Sequence, residues 1–295
     1  MSAATTLVGA TAERARRRRF ARLWRRFVGR KLAVVGLLLS ATFVLVAVMA
    51  PAIAPFEPGA SDFGAVLTVP SAQHLMGTDE LGRDVFSRVV FGARASIQAG
   101  VLATALAMVV AVPIGLVSGY YRGWLDAVVG RLVDTMLSFP FVVLAVGLAA
   151  ILGPSLTNAS IAIGVAQVPR IVRIARGETL SIREEDFIAG AVADGASDPT
   201  ILVRHVLPNI MNPLLVQATV VIPEAIIAES ILSFLGLGVQ PPTPSWGVML
   251  STAQPFLSEA LWLAVFPGLA VFLATLSFNL LGDGLRDVLD PKALV

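Results

Sequence analysis

The sequence predicts an all-α polytopic membrane protein with six transmembrane helices and one polar helical loop on the cytoplasmic side. Three observations carry this. Hydrophobic residues make up 56% of the 295-residue chain and mean hydropathy is +0.80, whereas soluble domains are roughly 45–50% apolar. Six stretches approach the about 20 apolar residues that a spanning helix needs. Basic residues crowd one set of connections between those stretches, which orients them.

The tail before the first stretch, residues 1–31, holds Arg14, Arg16, Arg17, Arg18, Arg19, Arg22, Arg25, Arg26, Arg30 and Lys31. Phe20, Leu23, Trp24, Phe27 and Val28 recur at helical spacing among them, so the tail reads as an amphipathic helix lying on the inner leaflet. Nucleic-acid binding is a poor explanation of that charge in a six-span protein. Ala52-Ile53-Ala54 imitates a signal cleavage site, but the apolar stretch before it is too long for a signal peptide.

The expected spans are 32–54, 95–119, 128–151, 157–175, 211–236 and 260–281. Gly164, Gln167 and Pro169 make the fourth the least regular. Segments 152–156 and 236–259 hold no basic residue, while Arg122, Arg173, Arg176, Arg183, Arg204, Arg286 and Lys292 fall on the side of the tail. Both termini are therefore expected in the cytoplasm. This divides the chain into a basic tail (1–31), a first span (32–54), an outer loop (55–93), a five-helix transmembrane domain (94–287) that includes a cytoplasmic loop at 184–209, and a short tail (288–295).

In the outer loop, Val85, Phe86, Val89 and Val90 suggest a short surface helix leading into the second span. Asp84 and Arg88 stand at i,i+4, a spacing that favours pairing. His74, Asp79, Glu80 and Asp84 invite a metal-site reading, but intervening glycines and turn residues favour a structural loop.

The cytoplasmic loop is the most unusual stretch. Ala189, Gly190, Ala191, Ala193, Gly195 and Ala196 are small enough for another backbone to approach closely. Ser197-Asp198-Pro199 reads as a helix start, with Asp198 capping and Pro199 at the first helical position. Pro208 is expected to end that short helix. Two short helices joined at a glycine make sense as a protein-docking element.

Several chemistries are excluded. Without cysteine there are no thiol nucleophiles and no Fe–S ligation. No Gly-x-Ser-x-Gly, His-Glu-x-x-His or phosphate-loop pattern occurs, so this chain is not expected to be an enzyme or to bind ATP, a metal or another cofactor itself. Glu224 and Glu229 fall inside the fifth span, behind a Pro223 kink. Carboxylates there are costly and usually face a protein interior or a wet cavity. Either they line a passage or its gate, or they form structural pairs with a base such as Arg94, or they are simply exposed near the outer surface. Arg131 and Asp134, one turn apart at the inner start of the third span, form a local pair or part of an inner gate. Phe139-Pro140 reads as a packed kink. Gly282 and Gly284 are expected to loosen the last helix, and Arg286 to pair with Asp290.

The loop resembles the ATPase-docking loop of ATP-binding-cassette (ABC) importer permeases: Gly195 and Val206-Leu207-Pro208 match, while Ala189 stands where that pattern has glutamate. A second resemblance narrows the family. Gly77-Thr-Asp-Glu-Leu-Gly-Arg-Asp84, Gly119-Tyr-Tyr-Arg-Gly-Trp124, Ala228-Glu-Ser-Ile-Leu-Ser-Phe-Leu-Gly-Leu-Gly238, Pro241-Pro-Thr-Pro-Ser-Trp-Gly247 and Asn279-Leu-Leu-Gly-Asp-Gly-Leu-Arg-Asp287 are similar to permeases of the dipeptide, oligopeptide and nickel ABC importers, of the dipeptide permease C type. The match runs from about Trp24 to Pro291.

That resemblance implies a MetI-like ABC permease fold in the bacterial cytoplasmic membrane. It implies a second homologous permease, two ABC ATPase subunits that bind ATP and Mg, an extracellular solute-binding protein or lipoprotein, and a di- or oligopeptide substrate. Nickel or another small solute is the alternative cargo; a channel or an intramembrane enzyme is the alternative of a different class, and neither needs the exposed element at 187–209. The implied ATPase-coupling residues are Ala189, Gly190, Ala191, Asp194, Gly195, Ala196, Ser197, Asp198, Pro199, Arg204, His205, Leu207 and Pro208. The candidate pathway residues are Glu224, Glu229, Phe139 and Asp134.

Overall fold

The computed structural model describes residues 25–289. The greater part of the tail expected to be an amphipathic helix, residues 1–24, and the last residues, 290–295, lie outside the described residues. So does Asp290, the expected partner of Arg286. The described chain is helical, with no strand beyond an isolated Thr78–Asp84 bridge.

The helices are α1 (Lys31–Ile53), α2 (Val85–Tyr121), α3 (Gly123–Leu137), α4 (Phe141–Leu152), α5 (Leu156–Arg183), α6 (Asp186–Ala193), α7 (Asp198–Phe234), α8 (Trp246–Ala253) and α9 (Trp262–Leu289). Of these, α1, α2, α7 and α9 are long and apolar enough to cross a membrane. The bent pair α3–α4 makes a fifth if it counts as one span.

The expected surface helix and second span are one continuous helix. Asp84 caps α2 by accepting the Ser87 amide at 2.8 Å. Gly92, the only glycine in its first two turns, does not break it. Gly92 is instead where Trp246 packs, since a Cβ there would stand 2.9 Å from the indole. Arg122 and Gly123, both at positive φ, end α2 abruptly.

The third expected span, 128–151, is broken. α3 and α4 meet at 92° across Ser138–Pro140. Pro140 supplies no N–H and disfavours helical geometry at Phe139. Phe139 is exposed, so the expected packed kink is an open elbow.

α5 runs eight residues past its expected end, through Arg183. It lies parallel to α2 over most of its length, and that contact rests on small residues. A Cβ on Gly115 would stand 2.5 Å from the Ala175 Cβ, and one on Gly164 would stand 2.9 Å from the Ala103 carbonyl. Such close backbone approach suits helices that associate where lipid gives no hydrophobic drive.

α7 also departs from expectation. Pro208 does not stop it, because residues Ile201–Val206 form a π turn and α-helix resumes at Leu207. Such bulges re-register the ladder and let a proline's missing donor be absorbed. The 198–207 segment is thus the first turns of a 37-residue helix, not a separate short one.

α1 and α9 run antiparallel. Gly36 lies against Leu280 and Leu281, Gly284 against Ala33, and Arg30 pairs with Asp287. Gly282 meets Thr219 of α7. These glycines give close contacts rather than a loosened helix. Residues 54–84 and 235–261 lie at one end of the bundle, called here the upper end. The α2–α3 turn and residues 184–197 lie at the other.

Candidate functional site

The lower-end element is built as a stiff unit. α6 closes in a complete glycine C-cap. The Ala196 amide donates to the Ala191 carbonyl and the Gly195 amide to the Val192 carbonyl, each at 3.0 Å, with Gly195 at φ +78°. That is the pairing expected when a helix ends on a left-handed residue, and it favours glycine there. Ile188, Ile201, Leu202 and Val206 are buried with Leu116, Tyr120, Ala175, Ile210 and Leu214, so α6 and the start of α7 share a core with α2 and α5.

Capping differs from expectation by one position. Ser197 is the cap residue of α7 and Asp198 already lies inside the helix. Asp198 instead accepts a hydrogen bond from the Tyr120 hydroxyl at 2.9 Å. The Arg183 guanidinium lies 5.5 Å from the Tyr120 ring centroid. Tyr120 thus joins the ends of α2 and α5 to the start of α7.

The opposite face of this unit is open. Ala189, Gly190, Asp194, Gly195, Ser197, Pro199, Arg204 and Pro208 are exposed, and Ala191, Ala196, His205 and Leu207 are partly so. Phe187, Val192 and Val203 are large apolar side chains of this unit that are also exposed. A Cβ on Gly190 or Gly195 would meet no atom within 4 Å among the described residues.

A second cluster lies midway up the bundle. Glu224 of α7 is not unpartnered: both its oxygens accept from Arg170 Nη1, at 2.7 and 2.8 Å, and Oε2 also accepts from Gln167 Nε2 at 2.9 Å. The Arg170 side chain is 43% exposed and that of Glu224 36%. Asp134 pairs with Arg173 at 2.6 Å, in place of the expected Arg131. Asp126 receives Arg176 Nη2 at 2.6 Å.

Glu229 is different. It is fully buried, and its carboxylate accepts from Ser96 Oγ at 2.8 Å and Ser233 Oγ at 2.7 Å. Ser233 Oγ in turn accepts the Val239 amide at 3.0 Å. The expected pairing with Arg94 is absent. Among the described residues Glu229 is enclosed, and its hydrogen bonds link α2 and α7 to the upper loop.

The upper-end loop and the start of α2 hold a buried ionic knot. Asp79 accepts from Arg83 Nε at 2.6 Å and lies 3.3 Å from Arg88, and Arg83 reaches Glu80 at 2.7 Å. His74 Nδ1 lies 2.9 Å from Asp84. Asp84 therefore pairs with His74 and caps α2, and Arg88 turns to Asp79 and the Pro58 carbonyl. The carboxylates are engaged by arginines, His74 and amides, and no metal-binding group occurs among the described residues.

Sequence reasoning missed Arg170, Gln167, Arg173 and Tyr120. Arg170 did carry a signal, since an arginine inside an expected span marks a function or a buried partner.

Comparison with known proteins agrees with this architecture. Residues 111–295 match the family described as binding-protein-dependent transport system inner membrane component. Residues 19–70 match the N-terminal TM domain of oligopeptide transport permease C. The dipeptide transport system permease protein DppC of Alkalihalophilus pseudofirmus is 45% identical over 262 residues, 89% of this chain and 86% of its own. The glutathione transport system permease protein GsiD of Escherichia coli is 44% identical over 270 residues, 91% of this chain and 89% of its own. Among solved structures, a chain of the inward-facing MetNI methionine ABC transporter superposes with a TM-score of 0.56 at 21% identity, over 68% of this chain and 96% of that one. The chain belongs to the binding-protein-dependent transport system inner membrane component family and is a membrane-embedded permease subunit of an ABC importer.

Proposed function

We propose that this permease imports di- or oligopeptides. It does so paired with a second homologous permease, driven by two ATPase subunits that hold ATP and Mg, and supplied by an extracellular binding protein or lipoprotein. The relatives named for dipeptide and glutathione transport support a peptide cargo. α5 completes a six-span count beside the α3–α4 pair: its 28 residues extend about 42 Å, and the others shield it. The arginine-rich end faces the cytoplasm with both termini.

The lower-end unit is the ATPase contact. The observation that carries this is the shared core under α6 and the start of α7, beneath an exposed face of Phe187, Val192 and Val203. A force applied to that face is carried into α2, α5 and α7 with few flexible joints. ATPase closure then rocks those helices. Asp134, Phe139 and Glu224 belong to the passage wall, and Glu229 serves it from behind by fixing the upper ends of α2 and α7.

The test is reconstitution of this chain with its second permease, ATPases and binding protein in liposomes, followed by uptake of a labelled dipeptide, glutathione and nickel. ATP-dependent peptide uptake is expected. ATP-dependent uptake of nickel alone would overturn the peptide reading.

A further inference from the structure

Arg170, Arg173 and Arg176 follow one another at three-residue steps on α5, each step rising about 4.5 Å. Each is paired with a carboxylate from another helix: Glu224 from α7, Asp134 and Asp126 from α3. Arg170 stands at the midpoint of α5, roughly 20 Å from either end at 1.5 Å per residue. A bilayer's hydrocarbon core is about 30 Å thick. Wherever that core falls along α5, the Arg170–Glu224 pair lies inside it, with the two side chains 43% and 36% exposed. Ionised side chains at that depth do not face lipid, so the exposed part meets water or protein.

The pair is incompletely used. Arg170 spends only Nη1 on Glu224, and its Nε and Nη2 donors take no partner among the described residues. A planar guanidinium with those donors free still has a fork for a second carboxylate. Gln167, itself buried, fixes Glu224 from behind through Oε2. Each rung of the ladder is neutral. A substrate carrying one positive and one negative end can exchange with either member at constant net charge. A bare metal cation meets carboxylates that arginines already occupy.

We propose that the Arg170–Glu224 pair is a specificity-determining contact in the passage, at which Arg170 reads the substrate's free carboxylate and Glu224 its ammonium. The site takes zwitterionic substrates with free termini. This rests on the peptide-import reading above.

The experiment uses the complete reconstituted transporter with its binding protein saturated by each substrate in turn. Uptake of a dipeptide with a free C-terminus is compared with uptake of its C-terminal amide, in the wild type and in Arg170→Gln. The wild type is expected to favour the free acid. Arg170→Gln is expected to lower free-acid uptake about tenfold, in keeping with loss of one charged hydrogen-bonded contact, and to bring the acid-to-amide ratio near one. The double variant Arg170→Glu/Glu224→Arg keeps an ion pair and so guards against misassembly. It is expected to assemble while losing the wild-type ratio.

An assembled variant that keeps the wild-type ratio overturns the site alone. Failure of both variants to assemble assigns the pair to structure, or to the seam with the second permease, and also overturns it. A wild-type complex that takes up neither peptide overturns peptide import and this contact with it.

Discussion

The Tyr120 hydroxyl donates to Asp198 Oδ1 at 2.9 Å, across 78 residues of chain. It ties the last turn of α2 to the first turn of α7 beside the Schellman-type turn at Gly195. Motion imposed on the start of α7 would through this bond also reach α2. Replacing Tyr120 by Phe keeps the ring, its contact with Arg183 and its place in the apolar cluster, and removes one hydrogen bond. Tyr120→Phe is expected to leave the complex assembled and to lower substrate-stimulated ATP hydrolysis several-fold. Stimulated hydrolysis at the wild-type rate would show that this tie transmits nothing.

Gly195 has open space where a side chain would point, and a positive φ. Gly195→Glu is expected to leave the chain inserted and to abolish substrate-stimulated ATP hydrolysis and uptake. Strain alone is a competing cause, since a non-glycine residue in that conformation costs roughly 1–2 kcal/mol. Gly195→Asn separates them, because asparagine tolerates the conformation but still carries a side chain into the contact. Both variants should lose stimulation. Normal stimulation in Gly195→Asn would leave strain, not docking, as the cause.

The proposed orientation can be read with single cysteines, because the chain has none. Ser71, Thr243 and Ser197 are all exposed. Cysteines at Ser71 and Thr243 are expected to react with a membrane-impermeant thiol reagent in intact cells, while one at Ser197 is not. Labelling at Ser197 from outside would reverse the orientation and remove the ATPase contact with it.

Glu229 is held by serine hydroxyls from two helices, so those hydroxyls should matter to assembly. Ser96→Ala withdraws one donor from a fully buried carboxylate, a loss of about 1–3 kcal/mol. We expect a lower thermal midpoint of the purified complex in detergent and a reduced yield. An unchanged midpoint would mean that Glu229 does not brace the upper ends.

Much of this protein is decided locally, and that part is legible in its sequence. Long apolar runs must become helices in lipid, because each backbone polar group needs an internal partner. The first, second, fifth and last stretches are accordingly helical in the structure. The glycine turn at Gly195 and the exposed small residues around it also follow from nearby residues. Partner choice does not, because it depends on which helices lie side by side. Asp134 has Arg131 one turn away and pairs with Arg173. Asp84 has Arg88 one turn away and binds His74 and the Ser87 amide. Glu224 finds Arg170 and Gln167 more than 50 positions earlier in the chain. Pro208 reads as a stop, yet a π turn carries the helix through it, since packing of Ile201, Val206 and Ile210 holds both sides in one core. Gly282 and Gly284 read as loose joints and are where three helices touch. Tertiary packing decided these points, because the energy of a buried charge or a close helix contact lies in its neighbours, and those neighbours are distant in sequence.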